Sequence, residues 1–322
     1  MIRLYTCGPD TLVPCEVSPE TIRRAVWIDL LAPTQQDEAV LEGTLGINVP
    51  TPEEMAEIEV SSRLYHENDT LYMTATVLAG TETSMPVGTP VTFILSPERL
   101  ITVRHAAPKA FEIFAGMAAR PGAGQTGVET AFVGLLDAIV NRLADVLEVV
   151  ASEVDGLSRT IFEHTSIRAQ DRPDFEEVLR QIGRKGDLTS KVREALVSLG
   201  RLTHFAAAAT VPQVTDSLRA RLDTVARDIA PLSDHATFLA QKINFLLDAT
   251  LGLLNIEQNA IIKIFSVVAV IFLPPTLIAS IYGMNFELMP ELGWRLGYPF
   301  ALLLMIASAI LPYWYFKRRR WL

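Results

Sequence analysis

Between Asn259 and Ser280 the chain carries residues spaced for one kind of chemistry. Asn259, Ile262, Ser266, Ala269, Leu273, Thr276 and Ser280 recur at steps of three and four, so a helix places all of them on one face. That face holds an amide and hydroxyls inside a segment otherwise rich in Val, Ile, Leu and Phe. Small and polar side chains in such a place have two uses: they let helices approach closely, or they line a polar path when several copies surround an axis. A single helix encloses nothing, so the second use requires an oligomer of cyclic symmetry.

The elements that must position this face are membrane spans. Ile264 to Ile281 is a run of 18 residues without a charge, Tyr298 to Phe316 is a second run of 19, and only 16 residues, Tyr282 to Gly297, separate them. A span needs roughly 20 apolar residues, so the pair reads as a helical hairpin through a bilayer. Lys317-Arg318-Arg319-Arg320 follows the second run, whereas the loop has Arg295 as its only basic residue and carries Glu287 and Glu291. Basic residues mark the cytoplasmic end of a span, which puts both termini inside and the loop outside. Trp314, Tyr315 and Trp321 then stand at the inner interface as aromatic anchors. Glu287 and Glu291 raise the local cation concentration at the outer mouth.

Upstream, Leu218, Leu222, Val225, Ile229, Leu232, Ala236, Leu239, Ile243, Leu246, Thr250 and Leu253 form a heptad stripe that runs into the first span, with Pro231 as a possible kink or boundary. As one helix, Asp216 to Ile281 would be about 100 Å long, and only about a third of it is needed to cross hydrocarbon. The remainder is expected to project into the cytosol and associate with copies of itself. Val128 to Phe162 is a long amphipathic helix, and Phe175 to Ala208 is another, or two with a break near Gly183 to Gly186. Before them, Ala25 to Leu31, Thr70 to Leu78, Val91 to Leu95 and Leu100 to Val103 read as strands. A Gly/Thr/Pro-rich stretch, Ala79 to Pro90, joins the second and third of these. A helix over Gln35 to Leu45 starts near Thr34, and another is capped by Thr51 with Pro52 in its first turn and Glu54 three residues after the cap.

The expected fold class is therefore α+β. A cytosolic α/β and helical domain covers 1–210, a stalk helix 211–258, a pore-facing span 259–281, an outer loop 282–297, a second span 298–316 and a basic cytosolic tail 317–322.

Composition narrows the function. Residues 1–258 hold 22 Lys+Arg against 35 Asp+Glu, a field that repels nucleic acid and attracts cations. Two cysteines, Cys7 and Cys15, make no disulfide framework, and the opening MIRLYTCGPDTL lacks the apolar core of a signal peptide. His66, His105, His164, His204 and His235 are scattered without partners at catalytic or ligand spacing, and there is no Walker loop. An enzyme is not expected, nor an organic cofactor.

Gly283-Met284-Asn285 followed by Met289-Pro290-Glu291-Leu292, set between two spans and before a basic tail, resembles the membrane region of the CorA-type magnesium transporters, especially proteobacterial members. The likeness extends upstream through Asn255 to Asn259, Trp27-Ile28-Asp29-Leu30 and Glu57-Ile58-Glu59, and so covers nearly the whole chain. It implies a funnel-shaped homopentamer in a bacterial inner membrane, with the first spans lining a pore and the second forming an outer ring. Asn285 then becomes the filter residue at the outer mouth, helped by backbone carbonyls near Gly283, with Met284 as apolar support beneath the loop. Asn259 and Thr276 fall at polar rings, and Ile262, Phe265 and Leu273 at apolar constrictions.

The resemblance also implies potential-driven magnesium uptake, with cobalt and nickel as further substrates and a zinc transporter of the same superfamily as the alternative. Cytosolic magnesium bound between neighbouring domains closes the family's funnel, which points to Glu57 and Asp223 as sensor carboxylates and Asp228 as a reserve. Gly283, directly after the first span, is expected to end that helix through a positive φ.

Overall fold

The computed structural model describes residues 1–319 apart from 84, 123, 125–126, 164–173 and 285–289. The chain divides into a first unit, Met1–Leu247, and a second, Asp248–Leu322.

The first unit is built on a seven-stranded sheet. Its strands are β1 (Ile2–Cys7), β2 (Leu12–Cys15), β3 (Trp27–Leu31), β4 (Leu64–Glu67), β5 (Thr70–Ala79), β6 (Val87–Leu95) and β7 (Leu100–Arg104), in the spatial order β2-β1-β3-β7-β6-β5-β4. Only β3 and β7 pair in parallel; the other neighbours are antiparallel. Short helices α1 (Pro19–Arg24), α2 (Gln35–Leu45), α3 (Pro52–Ala56) and α4 (Val60–Arg63) are set among the strands.

Three of these helices start where local chemistry dictates. Ser18, Thr34 and Thr51 each accept from the backbone N–H three residues on, and Thr21, Asp37 and Glu54 reach back in return. The strand alternation then sorts side chains. Ile28, Leu30, Ile94, Ile101 and Val103 point to one face, where Ile22, Leu41 and Met55 of α1, α2 and α3 complete a core. Trp27, Asp29, Phe93, Thr102 and Arg104 take the other register. There Trp27 meets Phe114 of α5 (Lys109–Ala118), and Phe93 meets Phe132 of α6 (Val128–Glu163).

This second face contains an ion pair that no spacing in the sequence announces. Arg104 donates from Nε and Nη2 to the two carboxylate oxygens of Asp29 at 2.9 and 2.7 Å, with both side chains almost wholly buried. Thr102 donates to the same carboxylate and receives Trp27 Nε1, while the guanidinium lies 4.4 Å from the centre of the Phe111 ring. One network thus ties β3, β7 and α5 together.

The expected strands are present, with differences at their ends. β6 begins at Val87, so the turn after β5 is shorter than the Ala79 to Pro90 connection expected. Pro90 fits because β7 pairs only from Val91 onward, leaving β6 one neighbour at that point and no ladder bond to lose. α7 (Phe175–Ala208) is one helix with no break at Gly183 to Gly186. α8 runs unbroken from Asp216 to Tyr282 and includes Pro231, which sits exposed, where water can stand in for the missing donor.

The stripe on α8 is covered within the single chain, by a partner that the spacing alone did not specify. Leu218, Leu222, Val225, Ile229, Ala236, Leu239, Ile243 and Leu246 are buried within the single chain. Ile243 lies over Gly186 and Ile229 over Gly200 of α7, Lys242 pairs with Asp155 of α6, and Phe245 stacks on Phe162. The chain's own α6 and α7 cover the stripe, because an apolar stripe specifies that it be covered and not by which helix.

Removing one partner of the buried pair leaves the other charge unpaired, which generally costs about 3–5 kcal/mol. Asp29→Ala should therefore lower the stability of the first unit by that order in urea unfolding. The double change Asp29→Leu with Arg104→Met should cost clearly less than Asp29→Ala alone.

Candidate functional site

In the second unit, α8 and α9 (Gly297–Arg318) are both long and apolar enough to cross a membrane, and only 6% of each apolar window is buried. An apolar core helix of a water-soluble protein would be covered by its own chain; these are not. Ile262, Phe265, Leu273 and Leu277 are 57–71% exposed on α8, and Leu303, Ile306 and Leu311 are 59–68% exposed on α9. Lipid or further copies must cover them.

The structure brings the sequence-derived face together on α8. Asn259, Ile262, Phe265, Ser266, Ala269, Leu273, Thr276 and Ser280 are all exposed within one continuous helix. Thr276 adds a detail that spacing did not show. Its hydroxyl donates to Phe272 O at 2.7 Å, so its proton is already committed and its oxygen faces outward as an acceptor. Just before Thr276, Pro274 and Pro275 supply no N–H, which leaves the carbonyls of Val270 and Ile271 without their usual helical donors.

At the C-terminal end of α8 the expectation for Gly283 fails. Its φ is not positive; the helix closes with Gly283 N–H donating to Ala279 O at 3.0 Å and Met284 N–H to Ile281 O at 3.2 Å. Glycine is favoured there for space, since a Cβ would lie 3.1 Å from Ala279 O, closer than side chains normally come to a carbonyl. Met284 is 47% exposed. Asn285 and Glu287 lie outside the described residues. Glu291 falls in the short 3-10 turn Pro290–Gly293.

The sensor candidates stand apart on the first unit. Glu57 is the exposed C-cap residue of α3, next to Ile58 at 91% exposure. Asp223 lines an open groove on α8 with Ala220, Ala226, Arg227 and Ala230, and Asp228 is exposed farther along. Among the described residues no group of three or more His, Cys, Asp or Glu side chains is placed to hold a metal ion.

A different site has a more enclosed shape. A cavity of about 590 Å³ lies between α5, α6 and α8, lined by Phe114 and Met117 on its apolar side and by Asp137, Arg142 and Arg221 on its polar side. Burial pushes the Asp137 carboxyl above its usual range; Arg221 works against that rise and Asp228 adds to it. No nucleophile, base and orienting group converge there as catalysis would need.

Comparison with known proteins gives a consistent result. The family model described as CorA-like Mg2+ transporter protein matches residues 23–318. The chain is 38% identical over 301 residues to the magnesium transport protein CorA of Pasteurella multocida (strain Pm70), covering 94% of this chain and 93% of that one. It is 36% identical over 302 residues to the protein of the same name from Mannheimia succiniciproducens, with the same two coverages. Among solved structures, the complete CorA magnesium transporter from Methanocaldococcus jannaschii aligns with a TM-score of 0.77 at 19% identity, covering 100% of this chain and 99% of that chain.

The Asp137 carboxyl has a measurable consequence. Because its folded pKa is raised, the folded chain holds this proton more tightly than the unfolded chain does. Stability contributed there is full at low pH and falls as pH rises from the ordinary carboxylate value through the folded one. Asp137→Asn should therefore raise the thermal midpoint at pH 7, by about 1–2 °C given its partial exposure. The gain should shrink toward zero in scans at acidic pH.

Proposed function

This chain belongs to the CorA-like Mg2+ transporter family, and from that premise we propose that it carries magnesium ions across a bacterial inner membrane, inward along the electrical potential. It is a membrane protein and not an enzyme. In this reading the assembly is a homopentamer with both termini in the cytoplasm, α8 lines the pore and α9 stands outside it. The observation that carries the proposal is the bare face of α8, where Asn259, Ser266, Thr276 and Ser280 lie exposed within an unburied apolar helix.

The physical chemistry is that of a hydrated ion. Magnesium holds an octahedral shell of waters at about 2.0–2.1 Å and sheds them reluctantly. A path for it must accept hydrogen bonds from those waters without binding so strongly that the ion stays. Amide and hydroxyl oxygens do this, and carboxylates at the same places would hold the ion longer. A ring of Asn285 side chains at the outer mouth, with carbonyls near Gly283, receives the ion; rings of Thr276 and Asn259 pass it inward between the apolar girdles of Leu273, Phe265 and Ile262. A double charge falling through roughly 100 mV gains about 4.6 kcal/mol, so no ATP site is required. Cobalt and nickel, similarly hydrated divalent ions, are proposed as further substrates. Magnesium is favoured over zinc as the main one because the relatives carry that name.

Cytosolic magnesium is also the regulatory ligand in this proposal. Among the described residues of a single chain no three carboxylates come together, and the site proposed is one shared by acids from two copies. Glu57 beside the exposed Ile58 and Asp223 in its open groove, with Asp228 in reserve, suit such a shared site. Bound ions there offset the repulsion among acidic copies and bias the ring toward its closed state.

Flux of magnesium, cobalt and zinc into liposomes at fixed potential tests the whole reading; zinc carried with magnesium excluded would overturn it. Asn285→Ala should abolish magnesium flux in assembled protein. Thr276→Val should slow it about fivefold, the scale of roughly 1 kcal/mol for a lost hydrogen bond, whereas Thr276→Ser should stay near wild type. Glu57→Ala with Asp223→Ala should let flux persist at internal magnesium concentrations that silence the wild type; an unmoved inhibition midpoint would remove this pair from the sensor.

A further inference from the structure

The cytoplasmic end of α9 carries three consecutive cation and aromatic pairs. Lys317 Nζ lies 5.8 Å from the centre of the Tyr313 ring, the Arg318 guanidinium 5.5 Å from Trp314, and the Arg319 guanidinium 5.8 Å from Tyr315. Each pair joins residues four apart, the separation that stacks one side chain above another on a helix face. Successive pairs are turned by about 100°, so together they wrap roughly 200° of the helix circumference. The rings are 45%, 59% and 56% exposed for Tyr313, Trp314 and Tyr315, so the chain itself leaves them largely uncovered. α9 contains no Asp or Glu, and among the described residues no carboxylate pairs with the three cations.

We propose that this collar is a binding surface for anionic phospholipid headgroups of the cytoplasmic leaflet, selective for them over zwitterionic ones. The inference rests on the reading of α9 as a span whose basic end is cytoplasmic. Charge complementarity selects the occupant: three cations that no carboxylate among the described residues pairs with meet a leaflet whose surface is negative. The rings select the depth. A basic side chain free in water would extend away from the bilayer, whereas one drawn back over an aromatic ring is held at the height where rings seat among headgroups. A guanidinium whose face lies on a ring keeps its N–H edge free, and that edge matches two oxygens of a phosphate. Ordinary interfacial anchoring requires neither the pairing nor a preference for headgroup charge, and that preference is what separates the two.

The full-length protein in nanodiscs of equimolar phosphatidylglycerol and phosphatidylcholine gives the test, read by the lipids retained on the protein in native mass spectrometry. The wild type should retain phosphatidylglycerol at least about fivefold over phosphatidylcholine. Both Lys317→Gln/Arg318→Gln/Arg319→Gln and the charge-preserving Tyr313→Leu/Trp314→Leu/Tyr315→Leu should lose most of that preference. Millimolar inorganic phosphate should displace none of the lipid; displacement would identify a free-phosphate site and overturn the lipid proposal. Equal retention of both lipids by the wild type, or full preference in either variant, would also overturn it.

A second measurement needs no variant. Tryptophan emission of the wild type should be quenched more by brominated phosphatidylglycerol than by brominated phosphatidylcholine; equal quenching by the two would overturn the headgroup preference, and quenching by neither would mean that a neighbouring copy covers the collar instead. A protein that failed to enter nanodiscs at all would contradict the membrane reading itself, a result distinct from insertion without lipid preference.

Discussion

Backbone in hydrocarbon must satisfy its own hydrogen bonds, and α8 is the element through which that constraint acts on this protein. A helix meets it by bonding within the segment, which is why Asp216–Tyr282 is unbroken although Pro231, Pro274 and Pro275 lie within it. Up to Leu247 its apolar stripe is covered by α6 and α7; within the membrane window almost nothing covers it. One helix therefore belongs to two solvents.

The sheet beneath that helix is held by a different kind of constraint. Asp29 and Arg104 are buried together, and a pair of this sort has little net worth until one partner is missing. Its effect is specificity of arrangement: the two carboxylate oxygens, Thr102 and the Phe111 ring admit the guanidinium in one orientation, which sets β3 beside β7 and α5 above both. Gln213 plays a similar part at the start of the long helix, donating from Nε2 to Asp69 O and Leu95 O and so fastening the α7–α8 connection to the ends of β5 and β6. The acidic, exposed surfaces around Glu57 and Asp223 are thereby carried on a firm platform.

The bare face of α8 carries polar side chains inside an apolar helix. Hydroxyls in an apolar helix tend to bond back to their own turn, and Thr276 does so with Phe272. That habit usually counts as self-satisfaction. Here it leaves the oxygen of an exposed residue with acceptor capacity to spare.

Much of this was legible in the residue order because the signals are local. The Thr34 and Thr51 capping boxes, the amphipathic period of α6 and α7, the two spans and the three-and-four face of α8 each depend on neighbours within a turn or two, and a helix converts such spacing directly into a surface. The short strands β1, β2 and β4 escaped notice, since a few residues of mixed polarity look like loop until a neighbour supplies their ladder bonds. The Asp29–Arg104 pair was equally hidden, its partners lying 75 residues apart. Gly283 was read correctly as a helix terminator but for a conformational reason, whereas crowding by Ala279 O is what the folded chain imposes. The stripe on α8 shows the division most clearly. Sequence alone determined that its apolar side chains must be hidden from water, because hydrophobicity belongs to the residue; only the tertiary structure decided that α6 and α7 hide them, because burial is a property of the pair of surfaces and the partner is chosen by where the chain can return.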